Sequence, residues 1–257
     1  MNENMTTCGD NPARPAATLI VAREEVSGPP RFLMARRAAT MAFAGGAAVF
    51  PGGAVDAADR IHARALGLAG DGAARIAAVR ETIEEAGLAV GCGGCAAERG
   101  QALRAALRAG ESLAEAAGRM KLRFDFEGLV PFARWCPSPE VRHRRFDTRF
   151  YLARAPEGAG GATPDGGETT HLAWLSAAEM LDRASGGAAR IIFPTRRNLE
   201  RLAQFDTLAA LFAHARAQPV RLVMPWVERR RGVDHACIPE DAGYPVTAEP
   251  LEAVPQE

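Results

Sequence analysis

Arg80-Glu81-Thr82-Ile83-Glu84-Glu85-Ala86-Gly87 is the densest run of reactive side chains in the sequence. Glu81, Glu84 and Glu85 stand at i, i+3 and i+4. On a helix that spacing gathers three carboxylates within about a third of the circumference. Like charges this close repel one another. Two arrangements relieve the repulsion. Arg80 can pair with Glu84 on a solvated face, or the carboxylates can hold a divalent cation such as Mg2+, a hard ion that takes oxygen ligands. Ile76, Val79 and Ile83 line another side at helical spacing, and Gly87 supplies a stop. The spacing predicts a helix over 73–86 with one buried face and one acidic edge.

The 257 residues allow one large domain or two small ones, and 47% hydrophobic residues supply a substantial core. Lys and Arg total 31, as do Asp and Glu. That balance argues against nucleic acid as the main partner. Lys121 is the only lysine. No apolar run reaches the ~18 residues of a membrane span. The opening residues lack a charged-then-apolar leader, and the closing ones carry no peroxisomal or retention tripeptide. Five thinly spread cysteines argue for a reducing compartment, hence a cytoplasmic protein.

Around the acidic run, strands and helices mix without regular βαβ alternation. An α+β domain with helices packed on a mixed sheet is expected. Residues 1–16 read as a disordered lead, 17–218 as the domain and 219–257 as a tail. Strands are expected at Thr18–Arg23, Arg31–Arg36, Val49–Phe50, 122–135 (bent at Pro131), Arg145–Arg154 and His171–Leu175. A strand-like Val220–Val227 precedes an irregular end. Residues 96–119 suggest a helical insertion, Ser176 an N-cap for a helix over 177–184, and Pro194 the start of one long helical stretch to Gln218.

Gly52-Gly53 followed by Arg80 to Leu88 resembles the Nudix hydrolase signature, R-E-U-x-E-E-x-G-U after a glycine, with U aliphatic. Thr82 stands where the pattern has its first U, with Ile83 beside it. The run from Gly53 to Arg80 is longer than the family's spacer, and the family's first glutamate, eight residues before Arg80, is replaced by Gly72. An insertion therefore separates glycine turn and helix. This resembles the coenzyme A diphosphatases with an interrupted box: Phe50-Pro51-Gly52-Gly53-Ala54-Val55-Asp56-Ala57-Ala58-Asp59 matches F-[PS]-G-G-x-x-D-x-x-D. The upstream coenzyme A motif is met at Leu33, Met34, Arg37 and Gly46, with Ala35, Ala38 and Ala42 as departures. Arg134-Trp135, the run Arg145 to Phe150, and Glu168 ahead of Trp174 extend the resemblance.

The resemblance implies a Nudix fold and a diphosphatase dependent on Mg2+ or Mn2+. Glu81 and Glu85 would ligate metal, with Glu84 and Glu168 as further ligands. Glu81 is also a candidate base, Glu168 another, and Arg80 would orient a glutamate. Arg37, Arg134 and Arg145 are candidate phosphate contacts beside Gly52 and Gly53, since guanidinium groups suit phosphate oxygens. Asp147 could orient Arg145. Phe50 and Trp135 read as core. The partner is a small nucleotide-diphosphate substrate, preferably coenzyme A or its acyl form, giving 4′-phosphopantetheine and adenosine 3′,5′-bisphosphate. ADP-ribose or a dinucleotide is the rival substrate, and a non-catalytic nucleotide-binding module the rival class. No membrane partner is expected, and a homodimer is left open. Cys92 and Cys95 have the spacing of one zinc half-site without a second, and His143 and His171 have no partner at ligand spacing.

Overall fold

The computed structural model of the protein describes residues 12–41, 44–93, 97–140 and 145–254. Ala42, Cys95 and His143 lie outside them. In chain order the elements are β1 (Arg14–Arg23), β2 (Arg31–Arg37), β3 (Ala48–Val49), β4 (Gly52–Ala54), α1 (Ala57–Ala65), α2 (Gly72–Ala86), α3 (Ala97–Arg108) and α4 (Leu113–Arg119). Then come β5 (Val130–Trp135), β6 (Phe146–Arg154), β7 (Thr169–Ser176), α5 (Ala177–Ser185), α6 (Phe193–Leu202) and α7 (Leu208–Ala217). The chain closes with β8 (Leu222–Val223), β9 (Trp226–Arg230), β10 (Val233–Cys237) and β11 (Ala248–Pro250).

The main sheet is mixed, in the order β3-β2-β1-β6-β5-β8, with β4 also on β1 and β7 on β2. Strand β1 is its centre. It runs parallel to β6 from Arg14↔Phe146 to Ala22↔Arg154 and antiparallel to β4 at Ala16–Thr18. Alternation along β1 feeds two cores. Leu19 and Val21 pack with Ile76, Val79 and Ile83 of α2 and Leu103 of α3. Ile20 and Ala22 pack on the other face with Phe132, Leu152, Leu199 and Leu211. The fold is α+β, a mixed sheet between two helical layers.

Helix α2 extends one residue beyond its expected start and stops at Gly87, whose φ of 69° favours glycine. Ser176 accepts the N–H of Glu179 and starts α5. Three expectations are corrected. The lead gives way to strand at Arg14, because β6 and β4 both offer β1 an edge there. Strand β5 begins at Val130 rather than Leu122, because Asp125 accepts the Gly128 N–H in a turn. The long helical stretch is two helices, because Thr207 caps a new start by accepting the Ala210 N–H.

The segment after 219 is also not an irregular tail. Strands β9, β10 and β11 form a second sheet, with a hairpin turn at Arg231-Gly232, φ 49° and 84°. Behind that sheet, Tyr244 is buried; its hydroxyl accepts from Trp135 Nε1 at 2.7 Å and donates to Asn198 Oδ1 at 3.0 Å. Arg197 of α6 reaches Glu249 of β11 at 3.0 Å. Tyr244→Phe should leave two buried polar atoms short of a partner and cost about 1–3 kcal/mol. Urea unfolding measures this; a midpoint equal to wild type would show that the segment is not part of the cooperative core.

Candidate active site

The acidic edge of α2 faces the glycine turn. Strand β4 pairs with β1 so that Gly53 lies directly under Glu81. A Cβ at Gly53 would overlap the Glu81 carboxylate, and one at Gly52 would approach the Ala17 carbonyl to 2.5 Å. Backbone therefore excludes a side chain at Gly52, whereas one at Gly53 would have to push the Glu81 carboxylate aside. Gly53→Ala should displace the Glu81 carboxylate and lower turnover by roughly 10²-fold, the scale of an ångström-level misplacement. Steady-state kinetics beside a melting curve would check this. Full activity would mean that the Glu81 position does not matter.

Arg80 anchors the edge from below. It is only 7% exposed, and all five of its N–H groups are used. Nε and Nη2 hold Asp59 in a two-pronged pair, 3.0 Å each, and Nη2 also reaches the Ala54 carbonyl at 2.9 Å. Nη1 donates to Glu81 Oε1 at 2.9 Å and to Glu84 Oε2 at 2.8 Å. Burial alone would lower the Arg80 pKa, but the Asp59 bonds and the Glu81 charge outweigh it and hold the group firmly cationic. Asp59, itself 2% exposed, also accepts the Asp56 N–H at the start of α1. Gly72, the first residue of α2, brings no carboxylate. A carboxylate partner for Arg80 comes from α1, on the far side of the insertion.

The carboxylates are crowded and partly dry. Burial, opposed by Arg80 but reinforced by Glu84 and Glu168, pushes Glu81 up to about 7. Burial, then the Glu81 charge, raises Glu85 well above the usual carboxylate range, with Arg37 acting against it and Glu168 adding to it. Glu84 is raised by burial against the pull of Arg80. Glu85 is 4% exposed; it accepts the Gly52 N–H, and its Oε2 has no partner. Glu168 is exposed, in the loop before β7, and Arg37 is half-buried at the end of β2. Both are close enough for their charge to be felt at Glu85.

No family model matches the sequence. Among solved structures, a NUDIX hydrolase from Alicyclobacillus acidocaldarius is 28% identical over 80% of this chain and 97% of its own, with a TM-score of 0.68. The chain is a Nudix hydrolase. A MutT NUDIX hydrolase from Burkholderia pseudomallei is 16% identical, covering 74% of this chain and 98% of its own, with a TM-score of 0.43. The NUDIX domain of Shewanella oneidensis NrtR, solved with ADP ribose, is 10% identical over 79% and 97%, with a TM-score of 0.45.

In this Nudix hydrolase the structure brings together Arg37, Gly52, Gly53, Arg80, Glu81, Glu84, Glu85 and Glu168. Arg134 and Arg145 are held elsewhere. Asp147 takes both prongs of Arg134, at 2.8 and 2.6 Å, rather than orienting Arg145. Arg145 is buried and donates to the Pro137 carbonyl at 2.9 Å. Each guanidinium has these partners within the β5–β6 pair and its loop. Phe50 and Trp135 are core. Cys92 is buried in the α2-side core.

Among the described residues, no group of three His, Cys, Asp or Glu stands arranged to hold an ion. The donor chemistry nevertheless fits a hard divalent cation. All donors are carboxylate oxygens, Glu85 Oε2 is buried without a partner, and Arg80 takes one oxygen each from Glu81 and Glu84, leaving the other.

Proposed function

We propose that this Nudix hydrolase cleaves the diphosphate linkage of coenzyme A or an acyl-coenzyme A with Mg2+ or Mn2+ held by Glu81, Glu84, Glu85 and Glu168. The observation that carries the metal site is the buried Glu85 carboxylate with an oxygen lacking a partner, among neighbours of like charge. A divalent cation there would neutralise the charge that builds on the phosphoryl oxygens and orient the linkage. Glu81 or Glu168 would accept the proton of the attacking water. Arg80 holds Glu81 and Glu84 in register. Arg37, whose charge reaches Glu85, offers a cation to the substrate phosphates.

The coenzyme A reading is supported by Leu33, Met34, Arg37, Gly46 and the run from Phe50 to Asp59. Several of these have structural duties: Phe50 fills the core, Asp56 starts α1 and Asp59 fixes Arg80. Arg37 is the member whose charge is felt at Glu85. A panel of coenzyme A, an acyl-coenzyme A, ADP-ribose and a dinucleoside polyphosphate, assayed by product identity with Mn2+ and with EDTA, tests the reading. Adenosine 3′,5′-bisphosphate should appear from coenzyme A and vanish with EDTA. Turnover of ADP-ribose alone would overturn the substrate, and undiminished turnover in EDTA would overturn the metal.

A further inference from the structure

The helical insertion has a place in the site. Helix α3 seats directly on the end of α2: a Cβ at Gly100 would overlap the Gly87 carbonyl. From that helix Arg104, 5% exposed, reaches two elements at once. Its Nε donates to the Glu84 carbonyl at 2.9 Å, in the last turn of α2. Its Nη1 and Nη2 donate to Thr163 Oγ1 and the Thr163 carbonyl at 3.1 and 2.6 Å, and Nη1 also to Gln101 at 3.3 Å.

Thr163 begins a short path to Glu168. Its own N–H donates to the Ala86 carbonyl at 3.2 Å. Two residues on, Asp165 accepts the N–H groups of Glu168 and Thr169 at 3.1 and 2.6 Å, while Arg108 holds the Asp165 carbonyl at 2.7 Å. The Glu168 carbonyl accepts the Ala38 N–H at 2.7 Å, next to Arg37. Each bond fixes the backbone that carries Glu168 and leaves its carboxylate unengaged by these contacts.

Among the described residues no carboxylate pairs with Arg104, so a buried cation is balanced by carbonyl oxygens. Burial and then the Arg108 charge lower its pKa. Packing alone would be served by an apolar side chain at lower desolvation cost. A guanidinium is suited to this seam because it spans four acceptors with fixed geometry and complements the negative end of α2.

We propose that Arg104 is a positioning residue: it fastens the loop carrying Glu168 to the last turn of α2 and so sets Glu168 against Glu81 and Glu85. This rests on the metal-site reading above. Hydrogen exchange and Mn2+ titration of Arg104→Ala, Glu168→Gln and the double variant test it, with Mn2+ alone as the probe. Amides of 163–169 should exchange faster in Arg104→Ala, and Mn2+ affinity should fall roughly tenfold, the lower end for a residue that orients a ligand. With Glu168→Gln in place, Arg104→Ala should cost no further affinity. An equal loss in both backgrounds, or unchanged exchange at 163–169, would overturn the proposal. Should Arg104→Ala not fold, Arg108→Ala, on the exposed side of the same loop, must show the same faster exchange at 163–169; its absence overturns the proposal. Exchange does not depend on Mn2+, so wild type that binds no Mn2+ counts against the metal site, whereas unchanged exchange counts against the clamp.

Discussion

Glu85→Gln should lower turnover by about 10²-fold or more, the scale of losing a group that stabilises developing charge, while the protein stays as stable as wild type or becomes more so. The two halves of that expectation have one cause. Glu85 is buried, accepts a backbone N–H from Gly52 and leaves Oε2 without a partner. Burial and the Glu81 charge already push it toward the neutral form. An amide of the same shape removes the like-charge repulsion and the cost of keeping a carboxylate dry. A group retained only for packing would show the reverse, with stability lost and activity following it. Kinetics with Mn2+, beside melting of the metal-free protein, separate the cases. Unchanged turnover would remove this carboxylate from the mechanism.

Arg80→Ala should be the most destabilising single change in the site, by about 3–5 kcal/mol, the cost of leaving one partner of a buried ion pair alone. Asp59 would remain buried with no cation, and Glu81, Glu84 and the Ala54 carbonyl would each lose a donor. Against a typical domain stability of about 5–15 kcal/mol that loss is large. The paired variant Asp59→Ala/Arg80→Ala should recover part of it, since the orphaned charge goes with its partner. Urea unfolding of the four proteins closes the cycle. Additive losses would mean that Asp59 and Arg80 do not act as a pair, and activity should be lost in both Arg80 variants because Glu81 and Glu84 lose their common anchor.

What the sequence made legible was local. Glu81, Glu84, Glu85, Ile76, Val79 and Ile83 define their helix by spacing, Gly87 ends it, and Ser176 starts α5. The facing of Gly53 and Glu81 followed from a turn known only as Gly-Gly until β4 paired with β1. Contacts made across elements were not legible. Arg80 and Asp59 are 21 residues apart, and counting back by the family spacing lands on Gly72 because the inserted residues lie between the helices. Asp147 meets Arg134 because β5 and β6 are neighbours in register, whereas sequence adjacency pointed to Arg145. The last sheet was hidden by short strands, although Arg231-Gly232 carried a hairpin signal. Nothing in the sequence singled out Arg104, since its acceptors include main-chain carbonyls from segments far away in the chain.

The central claim is that the α2 carboxylates hydrolyse a diphosphate. Mass analysis of the products from coenzyme A and Mn2+ in 18O-labelled water, with wild type and Glu85→Gln side by side, tests it most directly. Wild type should release 4′-phosphopantetheine and adenosine 3′,5′-bisphosphate with one labelled oxygen on one of the two new phosphates, and Glu85→Gln should release about a hundredth as much or less. Coenzyme A and the other diphosphates of the panel recovered intact from the wild type, or equal product from both proteins, would contradict it.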